Sequence, residues 1–256
     1  MCGRYASFRQ AQDLADAFAI RAGIQDVLAV FDDEVAALAP SWNVAPTDPV
    51  RIVVERAAEG SPPVRSLKTA RWGLVPSWST DARGGARMIN ARSESLLTKP
   101  AFKRAAASRR CIVPADGYFE WRKPDPAAPK LKRPCFVHPT DGDVLALAGL
   151  YEFWRDRSRA DDDPARWLVT TTIVTAPATG RLAELHDRRP VALSRDRWDQ
   201  WLDPSVGAEE AVALLDAPAP DQSFYEVGTT VNRVGTQGPE LLTPVDPPAP
   251  GGAEHP

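Results

Sequence analysis

The chain has 256 residues, 43% hydrophobic and 25% charged, the composition of a globular protein with a substantial core. No apolar run reaches the ~18 residues of a membrane span, and the N-terminus carries no basic-then-apolar leader, so no membrane partner is expected. Three cysteines without CxxC spacing (Cys2, Cys111, Cys135) and histidines scattered at 138, 186 and 255 give no metal-site pattern. No metal or other cofactor is expected, and a reduced, cytoplasmic setting fits.

The net charge of −3 hides an asymmetry. Residues 65–133 hold 16 Lys/Arg against 5 Asp/Glu, a net of +11, while the rest of the chain is at −14. A solvated arginine-rich face would look the same, but such polarity fits a basic surface facing an anionic polymer such as nucleic acid.

In chain order, Met1 precedes a small residue, which favours its removal and would leave Cys2 with a free α-amine beside its thiol. An amine condenses with a carbonyl to a Schiff base, and the neighbouring sulfur can close a five-membered thiazolidine. An ordinary small residue at a chain end would also read Met-Cys-Gly. Cys2–Ala6 reads as a strand. Ser7 with Gln10 forms a capping-box pattern for a helix over 8–19, with Ala11, Leu14 and Phe18 at helical spacing. Residues 21–40 lack a clear period.

Trp42–Pro46 ends in a turn, and Val50–Glu55 is β-rich. A loop over 57–66 precedes a strand at Lys68–Val75 and a Gly-rich loop through Gly85. A helix is expected at 100–109, and a strand at Tyr118–Trp121 entered from a turn at Asp116-Gly117. Residues 122–134 read as a loop. Phe136–His138 and Val144–Phe153 read as a hairpin across Thr140–Asp143. Residues 155–166 form a charged loop, and Trp167–Thr175 is a β-branched central strand. A short helix from Pro177, a strand at Val191–Leu193, helices at 195–202 and 207–216, and a strand at Phe224–Val234 complete the order. The domain is expected to span 1–238, with 239–256 a disordered Pro/Gly-rich tail. Without repeats or βαβ regularity, the pattern predicts one α+β domain with a curled, antiparallel-rich sheet (a pseudo-barrel) flanked by short helices.

Four stretches carry residue types suited to chemistry. Asn90 and Arg92, two apart, share a face if extended. Glu120 sits in sequence between Phe119 and Trp121, where apolar surroundings would make it a usable acid or base, although a strand Glu often faces solvent. His186 precedes Arg188 and Arg189, an anion-facing corner unless the histidine is structural. Trp72 and Trp78 flank Pro76 and could stack bases, though tryptophans commonly belong to cores.

Together with Cys2, these stretches resemble the SRAP (SOS-response-associated peptidase) family. The matching runs are Met-Cys-Gly-Arg-Tyr at 1–5, Trp-Asn-Val-Ala-Pro at 42–46 and Trp-Gly-Leu-Val-Pro-Ser-Trp at 72–78. They continue with Asn-Ala-Arg-Ser-Glu at 90–94, Arg-Cys-Ile-Val-Pro-Ala-Asp-Gly-Tyr-Phe-Glu-Trp at 110–121, Ala-Gly-Leu-Tyr at 148–151 and His-Asp-Arg-Arg-Pro at 186–190. The ordered set covers roughly residues 1–245.

The resemblance implies a monomeric covalent sensor of abasic sites in single-stranded DNA, with lyase activity and peptidase activity directed at its own Met1. Cys2 would form the thiazolidine. Asn90 would hold Cys2 and the sugar, Glu120 would shuttle protons, and His186 would act as acid/base near the sugar. Arg4, Arg92 and Arg188 would hold phosphates, while Pro46, Trp72 and Trp78 would shape the strand and stack bases. One departure stands out: some relatives carry Trp-Trp where this chain has Trp78-Ser79. A cysteine peptidase or a non-covalent single-stranded DNA-binding module are the other readings. An N-terminal-cysteine amidotransferase lacks its downstream motifs here.

Overall fold

The computed structural model describes residues 2–20, 33–56, 63–122 and 132–245. The chain opens with β1 (Arg4–Ser7) and α1 (Ala11–Ala17), whose buried face is Ala11, Leu14 and Ala15. The helix starts later than the Ser7 cap predicts, because the Asp116 carboxylate takes the Phe8 N–H at 2.7 Å and holds that segment extended. Asp13 instead closes the first turn by accepting from the Gln10 N–H. Next come α2 (Asp33–Ala37), β2 (Ser41–Val44), β3 (Pro49–Arg56) and β4 (Val64–Trp72).

β4 stops at Trp72, short of the expected Val75, because Gly73 turns at φ +125. A Cβ there would meet the Gly85 carbonyl oxygen at 2.6 Å, so only glycine fits this crossing of two backbones. β5 (Asn90–Arg92), α3 (Pro100–Ser108), β6 (Arg110–Ala115) and β7 (Gly117–Trp121) follow. The second half of the chain supplies β8 (Pro134–Pro139), β9 (Leu145–Arg155), β10 (Trp167–Pro177), β11 (Arg188–Pro190), α4 (Trp198–Leu202), α5 (Ala208–Ala213) and β12 (Gln222–Glu226).

Strands β10, β4, β3, β6 and β9 pair in that order, and β9 returns to β10, closing a five-stranded barrel. Among the described strands, only β10 with β4 and β10 with β5 run parallel. A second, wholly antiparallel sheet has the order β12-β8-β7-β1-β2. The architecture is one α+β domain with the curled, antiparallel-rich sheet and short helices that the pattern predicts.

The expected hairpin does not form. β8 pairs with β7 and β12, while β9 pairs with β6 and β10, so the turn at 140–143 carries the chain from one sheet to the other. Eight of β9's first eight residues are buried, a pattern that needs cover on both faces and strands on both edges. The barrel provides both.

One apolar cluster joins Val53, Leu67, Ile112 and Val174 to the helices through Leu14, Phe18, Phe102 and Trp201. A second takes the alternate face of the barrel strands (Val50, Ile52, Val54, Ala70, Trp72) with Cys2, Tyr5, Tyr118 and Val137 of the other sheet. A third lies on the far side of that sheet, where Phe119 and Phe136 meet Val227, Val231 and Leu241. Within the stretch expected as a tail, Leu241 and the Val227–Pro244 bridge pack residues 239–245 against the domain, anchored also by Tyr225 donating to the Leu242 carbonyl at 2.9 Å. The rest of that tail, the initiator Met1, and most of the expected loops at 57–66 and 122–134 lie outside the described residues. Among the described residues, no helix is long and apolar enough to cross a membrane.

Candidate active site

Cys2 precedes β1, whose register against β7 sets Arg4 opposite Phe119 and Tyr5 opposite Tyr118. The period of two sends Tyr118 and Glu120 to the Cys2 side of the sheet and Phe119 to the opposite cluster. Glu120 thus owes its low exposure, 4%, to the Cys2 corner rather than to its two aromatic sequence neighbours. Cys2 is fully buried. Burial first, and the Glu120 carboxylate second, push its thiol far above the ordinary thiol range. The Tyr118 hydroxyl is likewise pushed up, by burial, then by Cys2 and Glu120, while the Arg189 guanidinium opposes them. Cys2, Glu120, Tyr118 and Arg189 therefore share one electrostatic neighbourhood.

Asn90 reaches the same corner from the barrel. β5 lies parallel to β10, with Asn90 opposite Ile173 and Arg92 opposite Thr175. The Asn90 Nδ2 donates to the Cys2 carbonyl at 2.8 Å. Its Oδ1 is buried and accepts no hydrogen bond among the described residues. An open acceptor in such a place is costly to leave unmet, and it belongs to the same amide that holds the Cys2 main chain.

β11 runs antiparallel to the same end of β10, with Pro190 opposite Thr175. His186 lies just before it, beside Leu185 of the Cys2 cluster. The Arg188 N–H donates to His186 Nδ1 at 2.9 Å, which assigns the ring proton of the neutral form to Nε2. The Arg188 guanidinium grips both oxygens of Glu94 and donates to the Thr175 carbonyl at 2.6 Å. This pairing holds the Glu94 carboxyl down at about 2. Arg92 is exposed and forms no ion pair among the described residues.

The remaining expected site residues divide. Arg4 is spent within the protein, donating to Asn43 Oδ1 at 3.0 Å and to the Val231 carbonyl at 2.9 Å. Trp72 is fully buried, edge-on to Tyr5 at 5.1 Å, and its Nε1 donates to the Ile89 carbonyl. It packs in the same buried cluster as Cys2 and exposes no face to solvent. Trp78 is 62% exposed. Its turn is fixed by the Ser79 N–H to Pro76 bond and by Trp154 Nε1 donating to the Ser79 carbonyl, so the ring stands out from a rigid mount. Pro46 is half-buried in a turn whose next residue, Thr47, sits at φ +76 and donates its N–H to the Trp72 carbonyl.

Sequence reasoning placed Arg189 in the His186 corner but missed Tyr118 and Glu94. Tyr118 was within reach, since it stands two residues before Glu120 on the same face of a strand. Glu94's hold on Arg188 spans 94 positions and leaves no local mark. Among the described residues, no cluster of His, Cys, Asp and Glu could hold a metal ion.

This fold and corner define a class. The model of the SOS response associated peptidase (SRAP) family matches residues 1–234, and the chain belongs to that family. It is 33% identical over 244 residues to the abasic site processing protein YoqW of Bacillus subtilis, covering 94% of this chain and 99% of that one. It is 32% identical over 248 residues to the abasic site processing protein YedK of Escherichia coli, covering 96% and 100%. A crystal structure of a Bacteroides thetaiotaomicron protein shares the fold at a TM-score of 0.74 and 22% identity, covering 95% of this chain and 99% of the other.

Proposed function

We propose that this protein processes abasic sites in single-stranded DNA by capturing them covalently through Cys2, once Met1 has been removed. The Cys2 amine adds to the aldehyde carbon of the ring-opened deoxyribose, and loss of one water leaves an imine. The Cys2 sulfur then adds to that carbon while its proton passes to the nitrogen, closing a thiazolidine without any oxidant or reductant. Glu120, beside the thiol, takes the sulfur's proton and returns it to nitrogen. His186, with its Nε2 end open, acts as acid toward the sugar oxygen. The same imine acidifies the neighbouring sugar carbon, which accounts for strand nicking as a side activity.

The observation that carries this reading is the Asn90 clamp. Its Nδ2 fixes the Cys2 main chain, and its buried Oδ1 is left to accept from the freed amine or from a sugar hydroxyl. Arg92 and Trp78, both exposed, are the groups for a flanking phosphate and base. Arg188 joins them when a phosphate displaces Glu94, whereas Arg4 and Pro46 shape the corner from behind. The protein acts as a monomer in the cytoplasm, at the nucleoid.

A peptidase working through a Cys2 thiolate needs a lowered thiol pKa, and here burial raises it. Removal of Met1 is therefore proposed as the work of an aminopeptidase that accepts the small Cys2, not of a Cys2 thiolate. Cys2→Ser, with Met1 removed, tests the chemistry because it keeps the amine and loses the sulfur. It is expected to give a borohydride-trappable imine with abasic DNA but no heat-stable adduct. A heat-stable adduct equal to the wild type would remove the sulfur from the mechanism.

A further inference from the structure

A separate pocket of about 510 Å³ lies between the 3₁₀ turn Gly180–Glu184 with β11 on one wall and the stretch 216–222 on the other, and its Leu182 packs against the cluster that holds Cys2. The first wall is basic. Arg181 is exposed and lies over the Phe224 ring at 5.0 Å; the Arg189 Nη1 donates to the Pro190 carbonyl at 3.3 Å, and neither arginine forms an ion pair among the described residues. The second wall is made of acceptors. Asp216 and Asp221 bracket Ala-Pro-Ala-Pro, and the Gln222 Oε1 is buried with no hydrogen-bond partner. Leu182 from one side and Pro218 and Pro220 from the other leave apolar surface between the two walls.

We infer that this pocket holds one nucleotide flanking the abasic sugar, with its phosphate on Arg181 and Arg189 and its base edge on the acceptor wall. The inference rests on the abasic-capture reading, since Leu182 of the pocket wall packs against the apolar cluster that holds Cys2. The volume falls within the ~300–1,000 Å³ of small-ligand sites. A flat base fits between the leucine and the prolines. The acceptor wall then selects among bases. Adenine, cytosine and guanine carry an exocyclic amino donor, whereas thymine presents carbonyl acceptors there. Those carbonyls would face Asp216, Asp221 and the Gln222 oxygen as like against like.

The test uses the full chain and single-stranded oligonucleotides carrying a tetrahydrofuran abasic analogue, which has no aldehyde and so reports binding without capture. The nucleotide on each side of the analogue is varied in turn through A, C, G and T. Wild type is expected to favour the amino-bearing bases over thymine at one flank by roughly two- to tenfold. Gln222→Leu abolishes that preference. Arg181→Ala lowers the slope of log affinity against log salt by about 0.7, one single-strand phosphate contact. Arg181 is exposed, so this variant is expected to melt with the wild type. Equal affinity for all four bases at both flanks, or an unchanged salt slope in Arg181→Ala, overturns the inference. Because the analogue cannot be captured, such a failure leaves the thiazolidine chemistry standing, and a failure of capture at Cys2 leaves these affinities readable.

Discussion

Two buried polar regions of this molecule spend their hydrogen bonds differently. Beneath α3 and α4, Arg110 is buried and its guanidinium donates to the carbonyls of Ala106, Ala107, Trp201, Asp203 and Val206. Its donors are saturated by main chain, and nothing is left for a ligand. At the Cys2 corner the geometry is as fixed, but it is incomplete: Asn90 holds Cys2 with one end of its amide and leaves the other open. A saturated buried group secures the fold, and a buried group with an unmet partner keeps a hydrogen bond in hand for a ligand. By this measure Arg4 sides with Arg110, and Arg188 is held in reserve by Glu94.

The largest expected effect is at Glu120. Glu120→Gln keeps the size of the side chain and removes the transferable proton, so covalent capture should slow by ~10²–10⁴-fold. The melting temperature should stay within a few degrees. A wild-type capture rate would move Glu120 to the structural side of the comparison.

Arg110→Met probes that other side. It strips the donors from five carbonyls and should cost about 3 kcal/mol or more, a fall in melting temperature of roughly 6–12 °C. Below its transition the variant should capture abasic DNA at the wild-type rate. A small stability loss would show that the carbonyls find water instead.

How much of this division could be read beforehand depends on which interactions are local. The alternation that puts Tyr118 and Glu120 on one face is written in β7, and the β-branched run of β10 marks its central place. The partner of an apolar strand is not written locally: β8 and β9 flank a good turn yet enter different sheets, because burial on both faces draws β9 into the barrel. Trp72 and Trp78 are alike in sequence and opposite in exposure, since only Trp72 lies on a strand that Tyr5 covers. The occupancy of Arg4 and Arg188 is decided by residues 39 and 94 positions away. The open oxygen of Asn90 is visible only once everything around it is placed.

Two smaller effects sharpen the comparison. Arg92→Ala should weaken single-stranded DNA binding and lower its salt slope by about 0.7, and an unchanged slope would place no phosphate there. Glu94→Gln frees Arg188 and is expected to raise DNA affinity slightly. Glu94's carboxyl is held near 2 against an ordinary 4.5, so its contribution to stability is present above about 4.5 and is lost as pH falls through 2. Glu94 is half exposed, which limits that contribution to under about 1 kcal/mol. Denaturation of wild type and Glu94→Gln should therefore differ slightly at neutral pH and converge toward pH 2; a constant gap would refute the pairing.

Intact mass spectrometry of protein mixed with abasic single-stranded DNA decides whether Cys2 reacts through its own amine and sulfur together. A heat-stable species equal to the chain without Met1 plus the DNA minus one water is expected, absent from Cys2→Ala. An adduct that retains Met1, or one that persists in Cys2→Ala, would contradict that chemistry.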